Sequence, residues 1–462
     1  CEKYFKYVKT YRLIMDYQLL AAVLISIALL LLLILRFKIQ AFLALLIASM
    51  AAGILAGMPP TIIIDSMKKG MGDTLGFVAT VVGLGALFGA LLERSGGARS
   101  LADYMLEKMS LERAPWAMVG TGLMVSIPVF FDVAFIILVP IVYALQRQTG
   151  KSLLFFGMPL LAGLSVAHGF IPPTPGPVAV AHILGVDLGY IILFGLVIGI
   201  PAAVISGPIF GSYVSNRIEV TIPNYMEETI EDNNNHVHPG MIIIIIFIPI
   251  LLMVMNTVVK HIPQTAWLIP SSFTVWIGLI GHPFTALIIA NLMAWYFLGL
   301  RQGMTKDDIQ EIWSKSLAPA GLIILLTGAG GMFKQILIDT GAGALLAQSL
   351  SGDTTTPIIF AFICSLLVRV IQGSATVAMI TSAGLTAPLL LSFAGAEVYK
   401  ALVVIAIASG ATMMSHVNDS GFWLVNRYFG LTERQTLQSW TMLTVILGLT
   451  AFSIALILSM VI

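Results

Sequence analysis

The stretch RVIQGSATVA, from Arg369 to Ala378, interrupts a long apolar segment and indicates the fold of the whole chain. That segment runs from Pro357 to Phe393, and Arg369 is its only formally charged residue. About fifteen helical residues rise about 22 Å, less than the roughly 30 Å of a bilayer's hydrocarbon core. Non-helical backbone at such a depth occurs only inside protein or along a water-filled cavity. We therefore predict a re-entrant hairpin with a functional ionisable residue at its tip. The alternative is two ordinary helices with Arg369 reaching out from an end.

The composition is that of a membrane protein. Hydrophobic residues make up 58% of the 462 residues and charged residues only 10%, whereas soluble domains carry about 25% charged residues. We therefore predict an all-α polytopic protein embedded in a lipid bilayer. The net charge of +1 argues against nucleic acid as a partner. Cys1 and Cys364 are the only cysteines, which leaves no disulfide framework and no thiolate metal cluster.

The two halves of the chain resemble each other at a spacing of 245 residues. At this spacing residues 83–102 match residues 328–347 at seven of twenty positions, and Gly185 falls on Gly430. Duplicated units of this kind are common in secondary transporters. The predicted divisions are an N-terminal extension or expression remnant at 1–14, an N-terminal repeat at 15–215, a polar cytoplasmic linker at 216–240 and a C-terminal repeat at 241–462.

The distribution of basic residues indicates that the two repeats are inverted. Loop 93–114 contains four Lys or Arg residues, whereas its repeat partner, 339–356, contains none. Because cytoplasmic loops are rich in Lys and Arg, we predict that loops 36–38, 94–114, 147–151, 216–240 and 301–317 are cytoplasmic. Inversion requires an odd number of spans per half, which follows if 115–146 and 357–391 are hairpins. The prediction is two inverted repeats with about ten spanning helices, two re-entrant hairpins and broken helices.

Each half contains two interrupted segments, and these four segments hold the candidate site residues. They are residues 126–132 (SIPVFFD), 168–177 (HGFIPPTPGP), 369–378 (RVIQGSATVA) and 415–423 (SHVNDSGFW). Prolines and glycines prevent a continuous helix through the second segment, and the interruption exposes a helix N-terminus that favours an anion. In the third segment, the Arg369 guanidinium can donate two parallel hydrogen bonds to a carboxylate.

These segments yield one set of residues for binding and another for proton coupling. The predicted substrate-binding residues are Arg369, Gly373, Ser374, Thr376, Asn418, Asp419, Thr174 and Gly176. An acid at mid-membrane depth costs several kcal/mol unless it is protonated or paired, which makes it a candidate proton carrier. The predicted proton-coupling residues are Asp132, Asp419, His416 and His168. The alternative is that the two aspartates cap helices and that His168, like His182, is an ordinary core residue.

No sequence pattern indicates an enzyme. No phosphate-binding or dinucleotide-binding loop with a flanking strand is present, and no His, Cys or Asp cluster has metal-site spacing. We therefore predict no enzymatic activity, no metal and no cofactor. A proton gradient, or alternatively a sodium gradient, would drive transport. A passive channel is the alternative from another class, but paired broken segments favour a carrier.

Several strings resemble the gluconate permease family of proton symporters, part of a larger ion-transporter superfamily. They are VRVIQGSATVA (368–378), SHVNDSGFWL (415–424), HGFIPPTPGP (168–177), GGMFKQ (330–335) and the segment 30–59. The resemblance covers essentially all of Met15 to Ile462. It implies uptake of gluconate or a related sugar acid with protons across a bacterial inner membrane, and often a homodimer. Relatives handle idonate, fructuronate, glycerate and D-serine, so the resemblance leaves the identity of the acid open.

Overall fold

The computed structural model describes residues 18–461, except 20, 35, 109–110, 224–236, 262–270, 342–354 and 394–395. Over these residues the chain is helical and contains no strand. The helices are α1 Ala21–Ile34, α2 Ala41–Leu55, α3 Pro60–Arg94, α4 Gly97–Glu107, α5 Ala114–Val125, α6 Phe131–Thr149, α7 Leu153–Phe170, α8 Pro175–Leu184, α9 Leu188–Ser215, α10 Pro239–His261, α11 Ser271–Ile280, α12 Pro283–Gln302, α13 Lys306–Ser316, α14 Ala318–Asp339, α15 Thr355–Gln372, α16 Ala375–Thr386, α17 Glu397–Thr412, α18 Ser420–Phe429 and α19 Glu433–Val461.

The length and apolar character of these helices confirm a multi-pass membrane protein. Within the described ranges, nine helical segments are long and apolar enough to cross a bilayer, and three shorter apolar helices accompany them. The sequence indicated about ten spans, so the estimate was close. The predicted extension at 1–14 and most of the linker at 216–240 fall outside the described residues.

The four interruptions lie where the sequence placed them. The chain is non-helical between α5 and α6, α7 and α8, α15 and α16, and α17 and α18. Helix α15 packs against α16, so these two helices form a hairpin around Gly373. Three of the four helices that follow an interruption begin with a residue suited to that place. Ser374 caps α16, Asp419 caps α18, and Pro175 occupies the first turn of α8, where a missing N–H is harmless.

Helix ends recur at the spacing found in the sequence. Helices α8 and α18 are each ten residues long, begin 245 residues apart, and end at Gly185 and Gly430 in the left-handed conformation. Gly96 and Gly341, also 245 residues apart, have nearly equal φ values of +73° and +74°. A duplicated unit would produce these coincidences. The opposite orientation of the two halves stays a prediction.

Close glycine contacts tie the first helix of each predicted hairpin to the broken helix of its own half. A Cβ on Gly163 of α7 would collide with the carbonyl of Val119 on α5, and a Cβ on Gly410 of α17 would collide with the carbonyl of Phe362 on α15. Small residues allow helix backbones to approach this closely in a membrane. The same contact therefore positions both pairs of interrupted segments.

At one end of the molecule, Asp187 links the start of α9 to α10. Its carboxylate accepts hydrogen bonds from Gly189 N at 3.0 Å, from the Thr257 hydroxyl and from Lys260 Nζ at 3.1 Å. Burial alone would raise the pKa of Asp187. The hydrogen bonds from Thr257, Gly189 and Lys260 outweigh burial, so its pKa lies below the ordinary value.

We expect Asp187→Ala to lower the free energy of unfolding by about 1–2 kcal/mol at neutral pH, because it removes a helix N-cap. Because the pKa of Asp187 is lower in the folded protein than in the unfolded chain, where it is about 3.9, its ionised form stabilises the folded protein at pH values above the unfolded-state pKa. This contribution is lost as the pH falls through the folded-state pKa. Thermal unfolding in detergent should therefore show a Tm gap between wild type and variant that narrows toward acid pH. Asp187→Asn keeps a side chain that can cap the helix, so its Tm at neutral pH should fall less than that of Asp187→Ala. Equal Tm values at neutral pH for all three proteins would contradict this account.

Candidate functional site

A cavity of about 600 Å³ lies where the four interrupted segments meet. Its walls include the first turns of α6, α8, α16 and α18 and the last turn of α15. The first-turn residues lining it are Phe131, Asp132, Val133, Pro175, Ala375, Thr376, Ser420 and Gly421. Four helices therefore begin at one internal space.

These helix starts contribute partial positive charge to the cavity wall. The first turn of a helix carries N–H groups without intrahelical partners and about half a positive charge. Helices α6 and α8 have no side-chain hydrogen bond at their N-caps, Phe130 and Thr174. At the start of α6 the backbone N–H groups of residues 131–133 are therefore available to an anion, whereas α8 begins with Pro175 and Pro177, which have no N–H to donate.

Arg369 is a buried cation at the edge of this cavity. Its side chain is only 5% exposed, and Nη2 lies 2.5 Å from Asp419 Oδ2. Nη1 donates to the carbonyl of Gly373, while Gly373 N donates to the carbonyl of Arg369 at 2.9 Å. The guanidinium thus holds the hairpin tip and pairs with the α17–α18 break. A buried charge without such a partner would be strongly destabilising.

The Asp419 carboxylate is fully engaged by its surroundings. Besides Arg369, it accepts hydrogen bonds from the Ser415 hydroxyl and from Gly421 N at 3.3 Å. Ser415 Oγ in turn accepts from the indole Nε1–H of Trp440 at 2.6 Å. Asp419 therefore caps α18 and pairs with Arg369 at once.

Asp132 differs from Asp419 because it is exposed and has no hydrogen-bond or ion-pair partner in the described part of the chain. It lies in the first turn of α6 and faces the cavity. Among the described residues it makes no hydrogen bond or ion pair, and it interacts electrostatically with Asp419. The charged groups lining the cavity are therefore one ion pair and one additional carboxylate.

Three side chains that line the cavity each carry a buried polar atom without a protein partner. These atoms are His168 Nδ1, Arg369 Nε and Gln372 Oε1. The His168 ring lies beside Phe130 and Phe131, at centroid distances of 6.3 and 6.5 Å. Buried polar atoms are normally hydrogen-bonded to protein, water or ligand. These three atoms indicate a wall suited to a hydroxylated ligand.

The remaining predicted site residues divide into two groups. Ser374, Thr376 and Asn418 line the cavity. His416, Thr174 and Gly176 do not belong to its lining. The His416 ring lies 2.8 Å from the carbonyl of Val370, the Thr174 hydroxyl donates to the carbonyl of Ile171, and Gly176 packs against Met379.

Sequence reasoning did not identify several other residues of the wall. Trp440, Ser165, Thr412 and Thr444 all line the cavity. Trp440 lies in a π-helical turn of α19, and its ring packs 5.5 Å from that of Phe131. Nothing in the apolar run around Trp440 distinguishes it from a lipid-facing tryptophan. Gln372 was within the quoted stretch but carried no pattern of its own.

The hairpin tip is held against the opposite break. Asn418 Nδ2 donates to the carbonyls of Val370 at 2.8 Å and Ile371 at 3.2 Å. Gly373 has a φ of +86°, and a Cβ at this position would collide with the carbonyl of Asn418. Only glycine meets both requirements without strain.

We expect Gly373→Ala to reduce the transport rate by about tenfold or more. The added Cβ forces the tip of the α15–α16 hairpin away from Asn418, and the φ of residue 373 becomes strained. Initial uptake rates in vesicles, normalised to inserted protein, measure the effect. Gly384→Ala is the matched control, since an added Cβ there meets its nearest neighbour at an ordinary 3.6 Å. Equal rates for the two variants would show that the tip does not need glycine.

Comparison with protein families matches residues 18–461 to a family described as GntP family permease. The low-affinity gluconate transporter of Escherichia coli K12 is 41% identical over 92% of this chain and 94% of its own length. A gluconate permease of Pseudomonas aeruginosa is 37% identical over 96% of this chain and 98% of its own. The Gnt-II system L-idonate transporter of E. coli K12 is 34% identical over 92% of this chain and 95% of its own length.

Two solved structures share the fold. Neisseria gonorrhoeae MtrF, described as illuminating a class of antimetabolite efflux pumps, aligns with a TM-score of 0.63 at 16% identity, over 89% of this chain and 94% of its own. The Alcanivorax borkumensis YdaH transporter aligns with a TM-score of 0.63 at 13% identity, over 90% of this chain and 97% of its own. Both are transporters, and at these identities the likeness concerns the fold.

Proposed function

Because the chain belongs to the GntP family of permeases, as its motifs predicted, we propose that it imports gluconate or a related sugar acid by symport with protons. The chain is a multi-pass membrane transporter and not an enzyme. The proposed location is a bacterial inner membrane, and a homodimer remains a prediction. The observation that carries the proposal is the Arg369–Asp419 pair beside four helix starts.

A carboxylate is the anion best suited to this site. The Arg369 guanidinium donates through Nη1 to the carbonyl of Gly373 and through Nη2 to Asp419, and its Nε has no protein partner among the described residues. We propose that the remaining N–H donors of this planar cation bind the substrate carboxylate. The start of α6 adds backbone N–H donors, and the starts of α6 and α8 both add partial positive charge. The substrate carboxylate would bind between Arg369 and the start of α6.

Polar side chains around the same cavity suit a polyhydroxylated substrate. Ser374, Thr376 and Asn418 offer hydroxyl and amide groups, and His168 and Gln372 have unpartnered polar atoms. A volume of about 600 Å³ falls within the usual range for small-molecule sites. A six-carbon acid with several hydroxyls would use this wall fully, whereas a plain fatty acid would leave these groups unpaired.

The charge count of the lining links substrate binding to a proton. Arg369 balances Asp419, so Asp132 is left as an uncompensated carboxylate. A substrate anion entering beside an ionised Asp132 is repelled, and protonation of Asp132 removes that repulsion. Proton and substrate therefore favour each other's binding, which is the thermodynamic requirement for symport. Among the predicted proton-coupling residues, Asp132 is the one we propose as the proton carrier.

The packing of the helices supports movement of the interrupted segments against a scaffold. Helices α3 and α14 pack closely, with Gly70 against the carbonyl of Gly331 and Gly331 against Thr74. We propose that each hairpin moves with its broken helix relative to this scaffold, in two halves of inverted orientation.

Sodium coupling is the alternative that would use free backbone carbonyls at an interruption. At the α15–α16 tip those carbonyls are already occupied. Gly373 O accepts from Arg369, and the carbonyls of Val370 and Ile371 accept from Asn418. This occupancy supports protons over sodium as the coupling ion.

Uptake of labelled gluconate into proteoliposomes tests the proposal. We expect accumulation driven by an imposed inward proton gradient, unaffected by sodium and abolished by a protonophore. Unlabelled idonate, fructuronate, glycerate and D-serine identify the preferred acid by competition, and neutral glucitol controls for the carboxylate. Accumulation that requires sodium, or flux that never exceeds equilibrium, would refute proton symport.

A further inference from the structure

A second cavity adjoins the substrate cavity and opens between α3, α12 and α13. Its volume is about 880 Å³, and its wall includes the end of α3, the start of α6 and most of one face of α13. We call it the vestibule. Glu93, Arg94, Asp308, Glu311 and Lys315 line it, so its charges are mixed. These residues belong to the end and loops for which the sequence predicts a cytoplasmic location.

Two side chains are common to the walls of both cavities. Phe130 and Val133 line the vestibule and also line the substrate cavity. They are three positions apart at the start of α6, so they lie on the same face of that helix. Phe130 and Val133 therefore form part of the boundary between the two spaces.

Phe130 occupies a position where a different residue type would stabilise the helix. It is the N-cap of α6 and makes no side-chain cap hydrogen bond. Ser374, the N-cap of α16 in the other hairpin, does accept such a bond from Val377 N. Ser, Thr, Asp or Asn at an N-cap contribute about 1 kcal/mol relative to an apolar residue. An aromatic ring at this position of α6 loses that stabilisation, which indicates that the ring serves another purpose.

The backbone beneath Phe130 is fixed while its ring has space on both sides. The Pro128 carbonyl lies against Gly89 of α3, where a Cβ would collide with it. The Ser126 hydroxyl donates to the carbonyl of Val129 at 3.1 Å. The ring itself is half-buried and contacts His168 edge-on at 6.3 Å. Because the backbone around Phe130 is held in place, a change in the orientation of the ring would alter the boundary between the two spaces without requiring movement of the backbone.

We propose that Phe130, backed by Val133, is the gate through which the substrate passes between the vestibule and the cavity. The proposal rests on the proposed transport function for its biological meaning. Its test does not, because it measures access of a thiol reagent and requires no sugar acid.

The experiment uses single cysteines in a background with Cys1 and Cys364 replaced by alanine. Ser165→Cys reports on the substrate cavity, and Ala90→Cys reports on the vestibule. The probe is the anionic thiol reagent sodium (2-sulfonatoethyl)methanethiosulfonate, and the readout is the rate of modification in inside-out vesicles. With Phe130→Ala we expect modification of the Ser165 cysteine to be at least tenfold faster than with Phe130, and modification of the Ala90 cysteine to be unchanged.

Two further variants keep the outcome decisive. Phe131→Leu is the matched control, since Phe131 lines the cavity but not the vestibule, and it should leave the Ser165 cysteine rate unchanged. With Phe130→Leu, the rate of modification of the Ser165 cysteine should lie between the rates measured with Phe130 and with Phe130→Ala. If Phe130→Ala also alters the modification rate of the Ala90 cysteine, Phe130→Leu takes its place in the test. Equal rates at the Ser165 cysteine with Phe130 and with its variants, or equal acceleration by Phe131→Leu, would overturn the gate.

Discussion

Replacing Arg369 by glutamine is expected to lower the initial rate of sugar-acid uptake by about a hundredfold or more. The substitution removes the proposed ligand of the substrate carboxylate, and a lost hydrogen bond to a charged group costs about 1.5–3 kcal/mol of binding. Each 1.4 kcal/mol corresponds to about tenfold in an equilibrium constant. The Asp419 carboxylate would also be left buried without its partner, which destabilises the site. Uptake in proteoliposomes, with protein amount matched by immunoblot, measures the loss.

A paired substitution separates binding from structure in this prediction. Arg369→Gln combined with Asp419→Asn removes both charges, so we expect thermal stability to recover toward wild type while uptake stays low. Arg369→Lys keeps the charge but loses the planar donor set, and its uptake rate should lie between the rates of Arg369→Gln and wild type. Near-normal uptake by the double variant would show that the pair is purely structural.

Replacing Asp132 by asparagine is expected to abolish accumulation of substrate against its gradient while counterflow continues. Asparagine imitates the protonated carboxyl in size and charge, so substrate still binds and exchanges, but no proton is carried. The measurements are proton-driven uptake and labelled-substrate counterflow on the same proteoliposomes. Asp132→Glu is the matched control and should retain accumulation. Accumulation at the wild-type level by Asp132→Asn would show that a group other than Asp132 carries the proton.

The sequence predicted much of the fold because membrane constraints are severe. Composition alone indicated a polytopic helical protein, and the interruptions followed from prolines, glycines and polar residues in apolar runs. At Gly373 the sequence predicted a break in the helix, and the structure adds that its φ is +86°, a conformation that glycine adopts without strain. The inverted orientation of the repeats rests on basic loops and stays a prediction.

The site was partly visible in the sequence for a different reason. Arg369, Asp419 and Asp132 stand out because charges are rare in apolar segments, and all three line one cavity. Their partners were not foreseeable. The pairing of Arg369 with Asp419 joins residues fifty positions apart, and it depends on how α15 packs against α17. Trp440 gives no local signal, because its role in holding Ser415 depends on tertiary packing.

The central claim is that a substrate anion and a proton occupy this one cavity together, with Asp132 carrying the proton. Equilibrium binding of labelled gluconate at several pH values, for wild type and Asp132→Asn, tests it most directly. We predict that wild-type affinity falls as pH rises, whereas the variant binds at every pH as tightly as wild type does at acid pH. The same pH dependence in both proteins would place the proton on another group such as Asp419 or His168. A wild-type affinity independent of pH would contradict coupling through this site.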